Sequence, residues 1–259
     1  MIELALFMLG LLVTTVFTMV GLAGGLLIVP ILILGFGLPA QQAVGVSLMM
    51  MTFATLSATV AYARQRRINY RVGVLLDVLD VPGALVGAWL TTLIASNLLA
   101  GLFGAFLLIV SIFVIMRKNE QTTDVMGIKR RILGLPVQAF YFCLLASFAS
   151  GAVAGMFGAG GGTVDMAAMI LVLRMSPYIA VGTSEFGMAL TNTFALIPHA
   201  FLGNVALGYA VPLAAGAVVG AQIGPTLSRR AKITTLRKIL GMLFIIVGLR
   251  MVLLPYISA

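Results

Sequence analysis

Six polar residues interrupt an apolar chain in positions that suit ion and proton chemistry. Glu185, Asn192 and His199 are spaced by seven, close to two helical turns, and so share one helix face. Asp165 follows Gly160-Gly161-Gly162 by three residues, and Asp77 and Asp80 stand i,i+3 on another apolar segment. A charge at mid-bilayer costs roughly 2.5–3.5 kcal/mol on the insertion scale. These side chains are therefore expected to face a protein interior, where a carboxyl can carry a proton. Asp165, Glu185, Asp77, Asp80 and His199 are the proton-coupling candidates, with Asp165 foremost. Asp77 and Asp80 lie only six to nine residues past Arg71. Pairing with that basic loop is an equal alternative for them. His199 stands near the end of its segment, where it can cap or bond instead of titrating.

A second chemistry resides in backbone. Gly21-Leu22-Ala23-Gly24-Gly25 and the stretch from Gly155 to Gly162 each separate two apolar segments. Glycines permit tight turns, and exposed amides are too costly against lipid, so such turns must face protein or a watery cavity. Helix N-termini there offer N–H groups and partial positive charge, an anion site without a basic side chain. The candidate anion ligands are Gly24, Gly25, Gly160, Gly161 and Gly162, with Ser47, Thr183, Ser184 and Asn192. Ser47 and Ser184 occupy equivalent places near the starts of their segments, where a serine either caps the helix or binds an anion. Thr52, Thr55, Thr59 and Tyr62 line one face of the segment equivalent to that of Glu185 and Asn192.

The elements that must position these residues occur twice. Ala43-Val44-Gly45-Val46-Ser47 matches Ala180-Val181-Gly182-Thr183-Ser184 at an offset of 137 residues, Gly24-Gly25 falls on Gly161-Gly162, and Gly104 falls on Gly241. Pro82 to Ala88 matches Ala215 to Ala221 at an offset of 133, with the difference assigned to a longer loop at 229–238. The spacing predicts elements at 2–20, 23–38, 43–63, 72–94 and 98–116, then 135–153, 159–174, 179–201, 208–227 and 236–254. Repeat 1 is 1–118, a charged cytoplasmic linker is 119–134, and repeat 2 is 135–259.

Hydrophobic residues make up 61% of the chain and charged residues 9%, with a mean hydropathy of +1.16. A soluble domain needs more charge to cover its surface. Several apolar runs reach the ~20 residues of a spanning helix and do not alternate as barrel strands would. The class is an all-α, multi-pass membrane protein. The net charge of +9 does not call for nucleic acid, because 14 of the 16 basic residues lie in loops between apolar runs, as the positive-inside rule expects. Membrane lipid is the expected neighbour.

Loop charge also gives orientation. Loop 64–71 is basic and its counterpart 202–208 has no charge; loop 95–98 has no charge and its counterpart 229–238 carries five basic residues. Matching loops thus lie on opposite sides, so the repeats are inverted. Each is a glycine-rich broken-helix hairpin followed by three spanning helices, and both termini are expected outside the cell membrane. Internal duplication with broken segments is the pattern of a secondary transporter, with its site near the midplane where the copies meet.

Other chemistries find no support. One histidine excludes a histidine-based metal cluster, and no glycine turn is followed by Lys-Ser/Thr as in a P-loop. The lone Cys143 allows no disulfide within the chain. The 15 methionines fill apolar helix surface. No nucleophile–base pair suggests an enzyme, and no cofactor is expected.

The glycine-rich turns, the apolar arm with Pro30, the paired Ala-Val-Gly-x-Ser segments and Gly203-Asn204-Val205 together resemble the sulfite exporter TauE/SafE family, from Gly21 to Leu253. The resemblance implies a carrier, often an exporter, of small sulfur-containing anions such as sulfite or organosulfonates. Asp77, Asp80 and Asp165 depart from that family's pattern. A passive anion channel and a non-transport membrane scaffold are the alternatives.

Overall fold

The computed structural model describes residues 1–22, 24–116, 137–173, 175–228 and 233–257. The expected linker at 119–134, Arg174 and residues 229–232 of the basic loop at 229–238 lie outside them. The described residues form helices and no strand: α1 (Ile2–Val20), α2 (Gly25–Phe36), α3 (Ala40–Arg64), α4 (Tyr70–Leu90) and α5 (Ser96–Met116), then α6 (Val137–Phe157), α7 (Gly162–Leu171), α8 (Pro177–Phe201), α9 (Leu207–Leu227) and α10 (Ile233–Ile257). Five helices in this set are long and apolar enough to cross a membrane. Large apolar side chains such as Trp89, Ile109, Ile112 and Ile246 point outward, as a lipid-facing surface requires.

The helix breaks follow from glycine. Gly21 ends α1 at φ 69 and Gly37 ends α2 at φ 68, both in the left-handed region that glycine enters without penalty. Gly158 and Gly160 do the same after α6. Asn69 caps α4 by accepting from Val72 N at 3.3 Å. Ser176 caps α8 ahead of Pro177 by accepting from Ile179 N at 3.4 Å. With 12 residues, α2 is roughly 18 Å long, short of a ~30 Å hydrocarbon core. The arms α2 and α7 therefore reach only part of the way.

One register relates the two sets. The bounds of α3 and α8, and of α4 and α9, differ by 137 at both ends. The 133-residue registration of the Gly83 segment is corrected by this. A Cβ on Gly83 would meet Phe148 O at 2.2 Å, and one on Gly220 would meet Leu11 O at 2.4 Å. Gly83 thus pairs with Gly220, and Leu11 with Phe148, at 137. Packing partners correspond in the same way: α1 lies on α9 and α6 on α4, α3 on α9 and α8 on α4, while α3 meets α8 and α5 meets α10. Main chains approach this closely because glycine removes the side chain, a device suited to a medium in which apolar burial alone does not drive helix association.

Candidate functional site

Three carboxyls gather where α4, α6, α7 and α8 meet. Asp77 is 6% exposed, Asp80 0% and Asp165 4%, so none lies at the basic loop's surface. The Thr191 hydroxyl donates to Asp80 Oδ2, and the Asp165 carboxyl neighbours that of Asp80. Ser150 Oγ lies 2.5 Å from Gly161 O and 2.9 Å from Asp165 Oδ2. A hydroxyl has one proton to give. If it goes to the Gly161 carbonyl, the second contact is a hydrogen bond only when Asp165 donates as the neutral acid. Ser147 joins α6 to α4 through Leu76 O at 2.5 Å. One oxygen each of Asp77, Asp80 and Asp165 has no hydrogen-bond partner among the described residues.

Glu185 and Asn192 form a separate unit on α8. They are 1% and 0% exposed, and all four of their side-chain polar atoms lack partners among the described residues. Buried polar atoms in folded chains are nearly always bonded, so unpartnered ones on a single helix face mark a place built for something polar. His199, next on that face, belongs elsewhere. Its Nε2 is 3.0 Å from Gly155 O and its Nδ1 is 3.3 Å from Asn204 Nδ2. Its counterpart Tyr62 donates to Thr18 O at 2.5 Å, and residues 18 and 155 are again 137 apart. Both are fastening groups for equivalent helices.

The glycine turns and the serines come together, though not as open anion ligands. Ser47 donates to Gly158 O at 2.8 Å and Ser184 to Gly162 O at 3.0 Å. Neither caps its helix, since α3 starts at Ala40 and α8 at Pro177; that expectation is corrected by helices that start earlier than the motif. A Cβ on Gly25 would meet Gly158 O at 2.0 Å, so the two turns touch there. Gly24 and Gly161 are the N-caps of α2 and α7, and Gly160 holds φ 69 in the turn before α7. A Cβ on Gly162 would meet Ser184 Oγ at 2.5 Å, as one on Gly25 would meet Ser47 Oγ at 2.7 Å. Thr183 is a fastener, bonded to Ile179 O and accepting from Asn69 N, both at 2.9 Å.

The 137-residue register separates scaffold from specialisation. Asp77, Asp80, Asp165 and Glu185 fall on Ala214, Ala217, Ile28 and Leu48. Ser150 and Thr191 fall on Val13 and Ala54. The carboxyl cluster, drawn from both repeats, therefore has no counterpart at the equivalent meeting of α9, α1, α2 and α3. Sequence reasoning passed over Ser147, Ser150 and Thr191 as ordinary small polar residues; their lack of polar counterparts was the available signal.

It also read Arg67 and Arg237 only as topology signals. Both are buried, at 4% and 6% exposure, and both line a cavity of about 520 Å³ with Met19, Pro177, Tyr178, Val181 and Ser228.

An all-helical, apolar-surfaced chain with buried carboxyls between packed helices is a multi-pass integral membrane protein. Residues 6–251 match the family model described as Sulfite exporter TauE/SafE, and the chain belongs to that family. It is similar to the "Probable membrane transporter protein YunE" of Bacillus subtilis (strain 168), 29% identical over 95% of this chain and 96% of the relative. A second Bacillus subtilis protein, "Probable membrane transporter protein YdhB", is 25% identical over 86% of this chain and 88% of its own. "Probable membrane transporter protein MJ0441" of Methanocaldococcus jannaschii is 25% identical over 96% and 94%. No solved structure matches the chain.

Proposed function

We propose that the protein is a secondary transporter of a small sulfur-containing anion, sulfite or an organosulfonate, working by alternating access in the cell membrane with both termini outside. The family description supports a sulfite-like anion as the cargo, and the names of the relatives support membrane transport. The two halves act as inverted repeats. The interchange of packing partners at one register supports this, as does the opposite placement of basic loops.

The observation that carries the reading is the unequal use of two equivalent serines. Ser47 reaches across to the other half at Gly158, while Ser184 bonds within its own half at Gly162. Inverted repeats change access by exchanging such conformations. In the opposite-facing state Ser184 bonds to Gly21 and Ser47 to Gly25. The turns part during this exchange, and the amides of Gly24-Gly25 and Gly160 to Gly162 then serve the anion together with Asn192.

Protons supply the coupling. Asp165, with Asp80 and Asp77, forms a proton-holding cluster, and Glu185 is a second carrier beside Asn192. Uptake of labelled sulfoacetate into proteoliposomes under an imposed pH gradient tests the reading. Gradient-driven accumulation that Asp165→Asn and Glu185→Gln abolish supports it. Full gradient dependence in both variants overturns the coupling.

A further inference from the structure

We propose that the cavity between Arg67 and Arg237 is a binding site for a small free oxyanion, the loading site on the side of the basic loops. The inference rests on the anion-transporter reading for the identity of its occupant. The site itself rests on the geometry below.

The cavity of about 520 Å³ lies within the usual range for small-ligand sites. Its walls come from the end of α1, the turn after α3, the start of α8, the end of α9 and the first turns of α10. Arg67 is held rigidly. Its guanidinium stacks on Tyr178 at 3.8 Å and on Tyr62 at 4.7 Å. Its Nε donates to Tyr178 O at 3.2 Å and its Nη1 to Ser228 Oγ at 3.2 Å. A planar cation fixed in this way is pre-organised for an oxyanion.

Arg237 is the independent sign of a ligand. It is 6% exposed, it lines the cavity, and its Nε has no hydrogen-bond partner among the described residues. A desolvated guanidinium with an unpartnered donor is costly. An anion between it and Arg67 would neutralise it and take up its donors.

The internal register argues that this charge is not scaffold. Arg67, Arg237, Ser228 and Tyr178 fall on Asn204, Ala100, Thr91 and Gln41 in the other half. The backbone there is the same in detail: a Cβ on Gly182 would meet Arg67 O at 2.4 Å, and one on Gly45 would meet Asn204 O at 2.4 Å. The fold is built without arginine at the equivalent place. Two buried cations on one side only fit an anion that loads there and leaves by the uncharged side.

The test is thermal stabilisation of the full chain, purified in lipid-free detergent, by sulfite and by ethanesulfonate at constant ionic strength in chloride. Wild type should be stabilised in a saturable way by one or both anions. Arg237→Met should raise the unfolding temperature without anion, because it removes a desolvated charge and its unpartnered donor. It should also weaken the apparent affinity roughly 30-fold or more. Arg237→Lys, which keeps charge but not the planar fork, should fall between. An unchanged anion response in both variants overturns the inference, as does stabilisation by neither anion. A second arm adds phosphatidylglycerol: stabilisation by that lipid alone, lost in Arg237→Met, overturns the free anion in favour of a headgroup. Stabilisation lost in Arg237→Met without any transport in proteoliposomes keeps the site and sinks the transporter reading. Transport untouched by Arg237→Met does the reverse.

Discussion

Ser47 Oγ donates to the carbonyl of Gly158 at 2.8 Å, joining residues 111 positions apart in the chain. It is the side-chain bond that ties α3 to the turn of the other half at the place where the two glycine turns touch. Ser47→Ala leaves that buried carbonyl without its partner. The expected loss is about 1–3 kcal/mol of stability, read from equilibrium unfolding. Ser184→Ala, which frees only the Gly162 carbonyl of its own half, should cost a similar amount.

Gly25 and Gly35 share one short helix and should respond in opposite directions. A Cβ on Gly25 would stand 2.0 Å from Gly158 O, whereas one on Gly35 would meet nothing within 4 Å. Gly25→Ala must push the two turns apart and is expected to cost more than the ~1–3 kcal/mol of ordinary overpacking. Gly35→Ala should be neutral or stabilise by up to about 1 kcal/mol through helix propensity. Thermal unfolding of both variants is the check.

His199 holds equivalent structure to Tyr62, and the expectation is that it fastens helices and does not couple. His199→Gln retains a donor for Gly155 O, so it should keep the response of transport to a pH gradient while losing about 1 kcal/mol of stability. A loss of gradient dependence comparable to that of Asp165→Asn would make His199 a coupling group.

Asp165 and Asp80 are neighbours, with Ser150 and Thr191 at their two ends, and on the proposed coupling they should act as one unit. Asp165→Asn should leave exchange of labelled for unlabelled anion intact and remove accumulation driven by a pH gradient. Asp80→Asn should have the same phenotype, and the double variant should be no worse than either alone. Additive losses would show two independent proton sites.

Much of this was legible in the sequence, and what was not has physical causes. The helix breaks at Gly21 and Gly158 to Gly162 could be read directly, because a run of glycines between apolar segments has few other uses. The single register was legible at Ser47 and Ser184 but slid by one glycine spacing at Gly83. Gly216, Gly220 and Gly224 recur every four residues, so a Gly-x3-Gly pair matches equally well one spacing away; only the facing carbonyls of Leu11 and Phe148 settle it. Asp165 could be flagged from its position, but its partner Ser150, and Thr191 that bonds its neighbour Asp80, lie on other helices and no local pattern predicts them. The direction of a hydroxyl is equally invisible: Ser47 and Ser184 read as caps or anion ligands, yet they lie two turns inside their helices and donate to carbonyls. The burial of Arg237 was not legible either. Its neighbours are charged loop residues, and spacing alone does not tell an arginine of a cytoplasmic loop from one that lines a cavity.

The measurement that tests the account most directly is counterflow. Proteoliposomes loaded with unlabelled sulfoacetate are placed in a trace of the labelled anion, and labelled content is followed with time. A carrier that alternates its access must show transient accumulation of label above the external concentration, and wild type is expected to do so. Label that only equilibrates, or that enters at channel rates indifferent to the internal anion, would contradict alternating access and with it the central claim.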